Sequence, residues 1–108
     1  MKKKYRIRKN QEFQQIIQKK KFVVNQSFSI YYKVKQEEYG RFGISCGKKI
    51  GNAVIRNKVK RQVRMMLLEL DAFSKPFDAI VIIRQTFLEQ EYEKNKKDLA
   101  LLLKKVKI

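Results

Sequence analysis

The segment from Lys48 to Arg64 limits what this chain can fold into more than any other stretch, because it contains no acidic residue and seven that are Lys or Arg. At about 100° per residue, a helix that begins after Asn52 gathers apolar side chains along one side, namely Ile55, Val59, Val63, Met66, Leu67 and Leu70. The opposite side gathers Asn57, Lys60, Arg61 and Arg64, with Arg56 at the boundary. The pattern predicts an amphipathic helix that packs one side into a core and presents the other to negative charge.

The start of this predicted helix is rich in cations. Asn52 is placed to cap the helix by accepting hydrogen bonds from its first amides. The positive end of a helix dipole disfavours cations by about 0.3–1 kcal/mol, yet Lys48, Lys49 and Arg56 flank it, and the first acid that follows is Glu69. An external polyanion explains this crowding, since free amides at a helix start also bind phosphate. A solvated lysine-rich surface helix explains it less well, because such helices interleave charges to form i,i+4 pairs.

The charge balance of the whole chain indicates the class of partner. Among 108 residues, 27 are Lys or Arg and 10 are Asp or Glu, a formal net charge of +17. This favours nucleic acid over an anionic membrane surface, because the apolar run Ala79–Ile83, which no other exceeds in length, is too short to span a membrane and no signal peptide is evident. One cysteine, Cys46, excludes an internal disulfide, is typical of a reducing cytoplasm and is expected as a small buried side chain.

The hydrophobic pattern predicts three helices and three strands in the order α-β-β-α-β-α. The predicted elements are a helix from Asn10, as its cap, to about Lys20, a strand from Phe22 to about Lys35, a strand from Arg41 to Cys46, the basic helix, a strand from Phe77 to Arg84 and a helix from about Glu91 to Lys105. The apolar run Ala79–Ile83 indicates a central strand covered on both faces. Residues 1–9 are basic and expected to be mobile.

The strand that contains Tyr31 has one apolar and one polar face. Alternation places Tyr31 with Ser29 and Lys33, and Gly43 and Ser45 of the next strand on the same side. A tyrosine on a cationic face is placed to stack unpaired bases. The alternative from periodicity alone is a single exposed tyrosine.

Catalytic side chains are scarce. The sequence has no histidine, and we find no paired carboxylates on the basic face, no zinc-type spacing and no phosphate-binding glycine loop. A self-sufficient nuclease needs carboxylates that hold a metal, or an acid and a base near the phosphate. We therefore predict no catalytic and no metal-binding residues in this chain, and catalytic groups that come from elsewhere.

Two runs around the start of the basic helix match a known signature. They read Arg41-Phe42-Gly43-Ile44-Ser45 and Lys48-Lys49-Ile50-Gly51-Asn52-Ala53-Val54, followed by Arg56-Asn57, Lys60-Arg61 and Arg64. These residues resemble the signature of the bacterial ribonuclease P protein component, whose Arg-Asn-Arg run has Lys58 in place of its second Arg here. Lysine keeps the charge and loses the planar fork that binds phosphate bidentately. The resemblance covers nearly the whole chain, so one ribonuclease P protein domain is expected over residues 1–108.

The resemblance implies a fold and a function. The fold is a single compact two-layer α+β domain with a mixed central sheet and a left-handed βαβ crossover around the basic helix. The function is that of the protein subunit of ribonuclease P, a cytoplasmic ribonucleoprotein whose RNA subunit holds Mg²⁺ and removes the 5′ leader of precursor tRNA. The partners implied are the catalytic RNA subunit and that leader.

The resemblance also implies site residues. Those expected to bind the RNA subunit are Lys48, Lys49, Arg56, Asn57, Lys58, Lys60, Arg61 and Arg64. Those expected to face the leader are Phe13, Ile17, Tyr31 and Ser45, with Ile17 standing where relatives often have an aromatic residue. The alternatives are a structural or ribosomal RNA-binding protein, which needs no leader cleft, and a DNA-binding module, for which the basic helix offers only Asn57 and Gln62 to read adenine.

Overall fold

The computed structural model describes residues 3–34 and 39–106. Its helices and strands are α1 (Asn10–Gln18), β1 (Phe22–Val24), β2 (Phe28–Val34), β3 (Arg41–Ser45), α2 (Ala53–Glu69), β4 (Phe77–Ile83) and α3 (Tyr92–Lys105). Short 3₁₀ turns occupy Lys3–Tyr5, Lys48–Ile50, Ala72–Ser74 and Gln85–Glu89. The predicted basic helix is α2.

The four strands form one mixed sheet in the order β1-β2-β4-β3. β4 lies in the middle, antiparallel to β2 and parallel to β3. Six of its seven residues are buried, which confirms the central strand covered on both faces. Because β3 and β4 are parallel neighbours, α2 is the helix of a βαβ crossover. The left hand of that crossover stays a prediction.

Each face of the sheet carries its own core. On one face, α2 and α3 pack through buried residues that include Val63, Met66 and Leu99 against Phe28 and Val81. On the other face, the smaller α1 packs through Ile16 and Phe13 beside Ile80. We call this second side the α1 face. The mixed sheet and its three helices confirm a single α+β domain. The predicted two-layer arrangement was wrong, because α1 covers the second face of the sheet and adds a third layer.

The strand predicted from Phe22 to Lys35 is in fact a hairpin of β1 and β2, so this prediction was wrong. The side-chain oxygen of Asn25 accepts hydrogen bonds from the amides of Ser27 and Phe28, both at 3.0 Å. These bonds turn the chain, as Asn side chains do in tight turns. Phe22 then pairs with Tyr31 across the hairpin. Lys35 lies outside the described residues.

Local predictions at helix starts had mixed outcomes. Asn52 caps α2 as predicted, because its Oδ1 accepts from the amide of Ile55 at 3.0 Å. Asn10 does not cap α1: the cap position is Lys9, and its side chain makes no capping bond. Ile55 was expected on the buried side of α2 but is partly exposed, because it packs over Gly51 before the helix meets the sheet.

The basic N-terminal segment contacts β3. Ile7 is buried, and its amide donates to the carbonyl oxygen of Phe42 at 3.1 Å. Arg6 forms a parallel bridge with the same residue. The mobility expected of residues 1–9 stays a prediction, and residues 1 and 2 lie outside the described part of the chain. Every helix among residues 3–34 and 39–106 is too short or too polar to cross a membrane.

Candidate nucleic-acid interface

The residues of α2 that are predicted to bind the RNA subunit point in three directions. Asn57 and Arg61 are exposed and lie opposite the buried side of the helix. Lys60 and Arg64 lie on the flank toward β3, where they line a groove at the edge of the sheet. Lys58 lies on the other flank, beside Phe87 and Leu88. The residues predicted to bind the RNA subunit therefore wrap around the helix rather than forming one flat strip.

The groove beside β3 gathers four cations. Arg6 and Arg8 of the N-terminal segment line it together with Lys60 and Arg64 of α2, and its floor is formed by Phe13 and residues 42–44. Within the part of the chain that the structure describes, none of the four cations forms an ion pair with a carboxylate. A groove of this composition fits a phosphate group.

Positive charges lie close to one another in this groove and on the neighbouring part of α2. Burial lowers the pKa of Arg64, and the nearby charges of Arg6 and Arg61 lower it further. The Nε atoms of Arg6 and Arg56 are buried and find no hydrogen-bond partner among the described residues. Burial raises the pKa of Cys46, while Lys60 and Arg56 act against that rise. An external anion would relieve this repulsion and supply the missing acceptors.

Lys48 and Lys49 extend the basic surface past the start of α2. Both are exposed in the 3₁₀ turn whose third residue, Ile50, is buried and anchors it. The backbone oxygen of Lys49 accepts from Nε2 of Gln85 at 3.4 Å. The two lysines line an open groove together with Arg84. They therefore continue the cationic surface of α2 toward the end of β4.

The residues expected to face the leader share the α1 face. Phe13 lies on Gly43, and both Phe13 and Tyr31 pack beside Ile80. Ser45 is half-buried in β3 and pairs with Ile82. Ile17 is half-buried on α1. The structure therefore places Phe13, Tyr31 and Ser45 on one side of the sheet, with α1 as a wall.

An ion bridge holds that wall in place. Nη2 of Arg41 donates to Oδ2 of Asp78 at 2.8 Å and to Oε2 of Glu12 on α1 at 2.6 Å, and its Nε donates to Oδ1 of Asp78 at 3.3 Å. The hydrogen bond to Asp78 is the main cause of a raised pKa of Arg41. Arg41 thus stays charged and connects α1 to two strands.

Other acids are held on the opposite side of the molecule. Asp98 of α3 is buried and accepts from the hydroxyl of Ser27 at 2.5 Å and from Nζ of Lys94 at 2.7 Å. Glu69 accepts from the hydroxyl of Tyr92, and burial followed by this bond raises the pKa of Tyr92 to about 12. Among the described residues, no three His, Cys, Asp or Glu side chains lie close enough to hold a metal ion.

Comparison with known proteins decides between the alternatives. The Ribonuclease P family model matches residues 1–107. The chain belongs to the ribonuclease P protein family. It is 51% identical to the ribonuclease P protein component of Mycoplasma capricolum, over 99% of this chain and 100% of that protein.

Solved structures agree with the family assignment. The ribonuclease P protein of Staphylococcus aureus superposes with a TM-score of 0.86 at 37% identity and covers 96% of each chain. That of Thermotoga maritima gives a TM-score of 0.86 at 30% identity, covering 95% of this chain and 98% of the other. This ribonuclease P protein is therefore a subunit of a ribonuclease, works with an RNA partner and serves tRNA processing, as predicted.

Sequence reasoning missed three cations that shape the interface. Arg6 and Arg8 were treated only as part of a basic tail, although the alternation Arg-Ile-Arg around Ile7 indicates an extended segment with one buried side chain. Arg41 was noted only within the signature. No local pattern links it to Glu12 and Asp78, which are 29 and 37 residues away.

Proposed function

We propose that this protein binds the catalytic RNA subunit of ribonuclease P through α2 and grips the 5′ leader of precursor tRNA on the α1 face. The observation that supports this most is the junction between the two surfaces. Lys60 and Arg64 of α2 line the same groove as Phe13 and Gly43 of the α1 face. An RNA surface that contacts α2 therefore meets, in this groove, the single-stranded RNA that lies on the α1 face of the sheet.

The RNA-subunit surface comprises the cations around α2 and the turn before it. The residues assigned to it are Lys48, Lys49, Arg56, Asn57, Lys58, Lys60, Arg61 and Arg64, to which the groove adds Arg6 and Arg8. Arginine forks bind phosphate oxygens in pairs, whereas Lys58 acts as a point charge. The binding is mainly electrostatic, so it weakens as salt rises.

The leader surface comprises Phe13, Ile17, Tyr31 and Ser45. Aromatic rings stack on bases without reading their sequence. Mature tRNA has no leader, so contacts made here favour precursor over product. The protein therefore contributes substrate binding and discrimination against product, and not proton transfer.

The catalytic groups belong to the RNA subunit. We assign Mg²⁺ mainly to the RNA subunit and place the reaction in the cytoplasm, as the resemblance to the family implies. The protein lowers the Mg²⁺ concentration that cleavage requires, because its cations neutralise phosphate repulsion between the RNA subunit and the substrate.

Reconstitution tests this function. Precursor tRNA is incubated with protein alone, with RNA subunit alone and with both, across a Mg²⁺ titration. We expect no cleavage by protein alone, cleavage by RNA alone at high Mg²⁺, and cleavage by the mixture at lower Mg²⁺. Specific cleavage at the mature 5′ end by nuclease-free protein without RNA would overturn the assignment of catalysis to the RNA.

A further inference from the structure

Phe22 is an exposed aromatic residue on the edge strand of the sheet. It is 51% exposed, and its neighbour on the same face of β1, Val24, is 43% exposed. Large aromatic rings bury much area when they find a partner. An open ring on a short edge strand therefore needs an explanation other than the core of this protein.

Phe22 lies beside the tyrosine of the leader surface. The two residues are register partners between β1 and β2. Their ring centroids are 5.2 Å apart, and their planes are tilted by 31°. Directly opposite residues of an antiparallel pair project from the same face, so both rings belong to the α1 face.

We propose that Phe22 and Tyr31 together stack unpaired bases of the leader, so that the leader surface extends to the edge of the sheet at β1. This inference rests on the proposed function of the α1 face.

The charges around Phe22 favour single-stranded RNA as the occupant. Lys19, Lys20 and Lys21 directly precede it and are all exposed, and Lys33 lies on the same face of β2 as Tyr31. Aromatic rings interleaved with cations bind single strands, because the rings stack bases and the cations attract the backbone. A second copy of this protein would bring these lysines against one another.

The position of Phe22 predicts the order in which leader nucleotides are sensed. One row of register partners crosses the sheet from Gly43 through Ile80 and Tyr31 to Phe22. Strands lie about 4.8 Å apart, so this row spans roughly 14 Å. Gly43 and Ile80 are buried beneath Phe13 and α1, so the leader passes beside α1 and not along the covered end of this row. A leader that crosses from β2 toward the edge strand β1 reaches Tyr31 before Phe22. Only longer leaders therefore contact Phe22.

The test uses reconstituted holoenzyme and precursor tRNAs whose leaders lengthen one nucleotide at a time. The variants are Phe22→Ala, Phe22→Tyr, Tyr31→Ala and, as a matched loss of exposed apolar surface on α3, Leu101→Ala, which starts 54% exposed. Dissociation constants for each substrate and for mature tRNA are measured, and thermal unfolding verifies that each variant is folded.

We expect Phe22→Ala to weaken binding of long-leader precursors by about fivefold or more. Mature tRNA and the shortest leaders should bind as before, and Phe22→Tyr should retain affinity. Tyr31→Ala should weaken precursor binding at shorter leader lengths than Phe22→Ala does. Leu101→Ala should not weaken precursor binding at any leader length.

Each of the other outcomes would overturn a defined part of the proposal. Loss with Tyr31→Ala but none with Phe22→Ala would overturn the role of Phe22 and leave the proposed function intact. Equal loss of precursor and mature tRNA with Phe22→Ala would show a structural role and overturn stacking. Unchanged binding by both variants would overturn the leader surface itself, whereas RNA-subunit binding through α2 would still stand.

Discussion

The ring of Phe13 occupies the space that a Cβ atom on Gly43 would need. Such an atom would lie 2.5 Å from Cζ of Phe13 and 2.9 Å from Cδ1 of Ile80. Glycine at this position thus lets α1 approach the sheet closely. The depth of the leader surface therefore depends on one missing methyl group.

Substituting Gly43 should disturb both stability and leader binding. We expect Gly43→Ala to lower the free energy of unfolding by about 1–3 kcal/mol, because an overpacked side chain displaces its neighbours. Affinity for precursor tRNA should fall more than affinity for mature tRNA. Gly47→Ala is the matched control, since a Cβ there meets nothing within 4 Å. Urea unfolding and tRNA binding measure the two effects, and equal effects of the two substitutions would contradict the close contact.

The two acids of the Arg41 bridge should differ in their energetic weight. The side chain of Asp78 is 4% exposed and that of Glu12 is 30% exposed. We expect Glu12→Gln to cost less than about 1 kcal/mol, as exposed ion pairs do. Asp78→Asn should cost about 1–3 kcal/mol, because it removes the charge of a buried carboxylate that accepts two hydrogen bonds from Arg41. Urea unfolding of both variants is the measurement, and a larger loss for Glu12→Gln would contradict this ranking.

Lys60 should contribute one phosphate contact to RNA-subunit binding. Each contact adds roughly 0.7–0.9 to the slope of log affinity against log salt. Lys60→Ala should flatten the slope by about that amount, whereas Lys105→Ala, on the exposed end of α3, should leave it unchanged. Binding titrations at four or more salt concentrations measure it. An unaltered slope for Lys60→Ala would place this side chain away from phosphate.

Sulfate should stabilise the protein through the groove at β3. An anion that binds only the folded state raises the melting temperature by mass action. At equal ionic strength, sulfate should therefore raise it more than chloride, and Arg6→Gln should reduce this difference. Sulfate also stabilises proteins generally by exclusion from their surface, so Lys97→Gln, an exposed residue on α3, serves as the reference. Equal sulfate responses of the two variants would contradict an anion site.

The stability contributed by Asp98 should disappear in acid. Burial raises the pKa of Asp98, but hydrogen bonds from Lys94, Ser27 and Gln90 outweigh this and leave the pKa below the ordinary value of an aspartate. A lowered folded pKa stabilises the protein above the unfolded pKa, and this contribution is lost as pH falls through the folded value. The Asp98→Asn variant should therefore be less stable than the unsubstituted protein at pH 7. This difference in stability should narrow below about pH 4. Thermal unfolding across this pH range is the measurement, with Glu89→Gln at an exposed site as the control substitution.

Local patterns in the sequence were enough to predict α2 and its cap. The apolar spacing of Val59, Val63 and Met66 and the position of Asn52 each depend on residues within a few positions. The same reasoning gave β4, because five consecutive apolar residues indicate burial on both faces. The signature around Gly51 indicated the family, which the match of the family model to residues 1–107 confirms.

What could not be predicted depended on distant contacts or on a single turn. The hairpin was missed because strand-forming residues stand on both sides of Asn25, in Phe22–Val24 and in Phe28–Val34. The side-chain bonds of Asn25 turn the chain between them. Arg6 lies near Arg64, and Phe22 pairs with Tyr31, only because the folded sheet brings separate segments of the chain side by side. Whether the predicted residues bind RNA as assigned stays a prediction.

The central place of β4 has a consequence for how the protein is made. Both β2 and β3 pair with β4, and β4 is the last strand in the chain. The sheet therefore cannot close until residue 83 has left the ribosome. Until then, Phe28 and Phe42 have no strand between them, and α2 has no finished surface to pack on. Long-range pairing of this kind slows folding. The cations of the nascent chain are therefore exposed before the chain can fold.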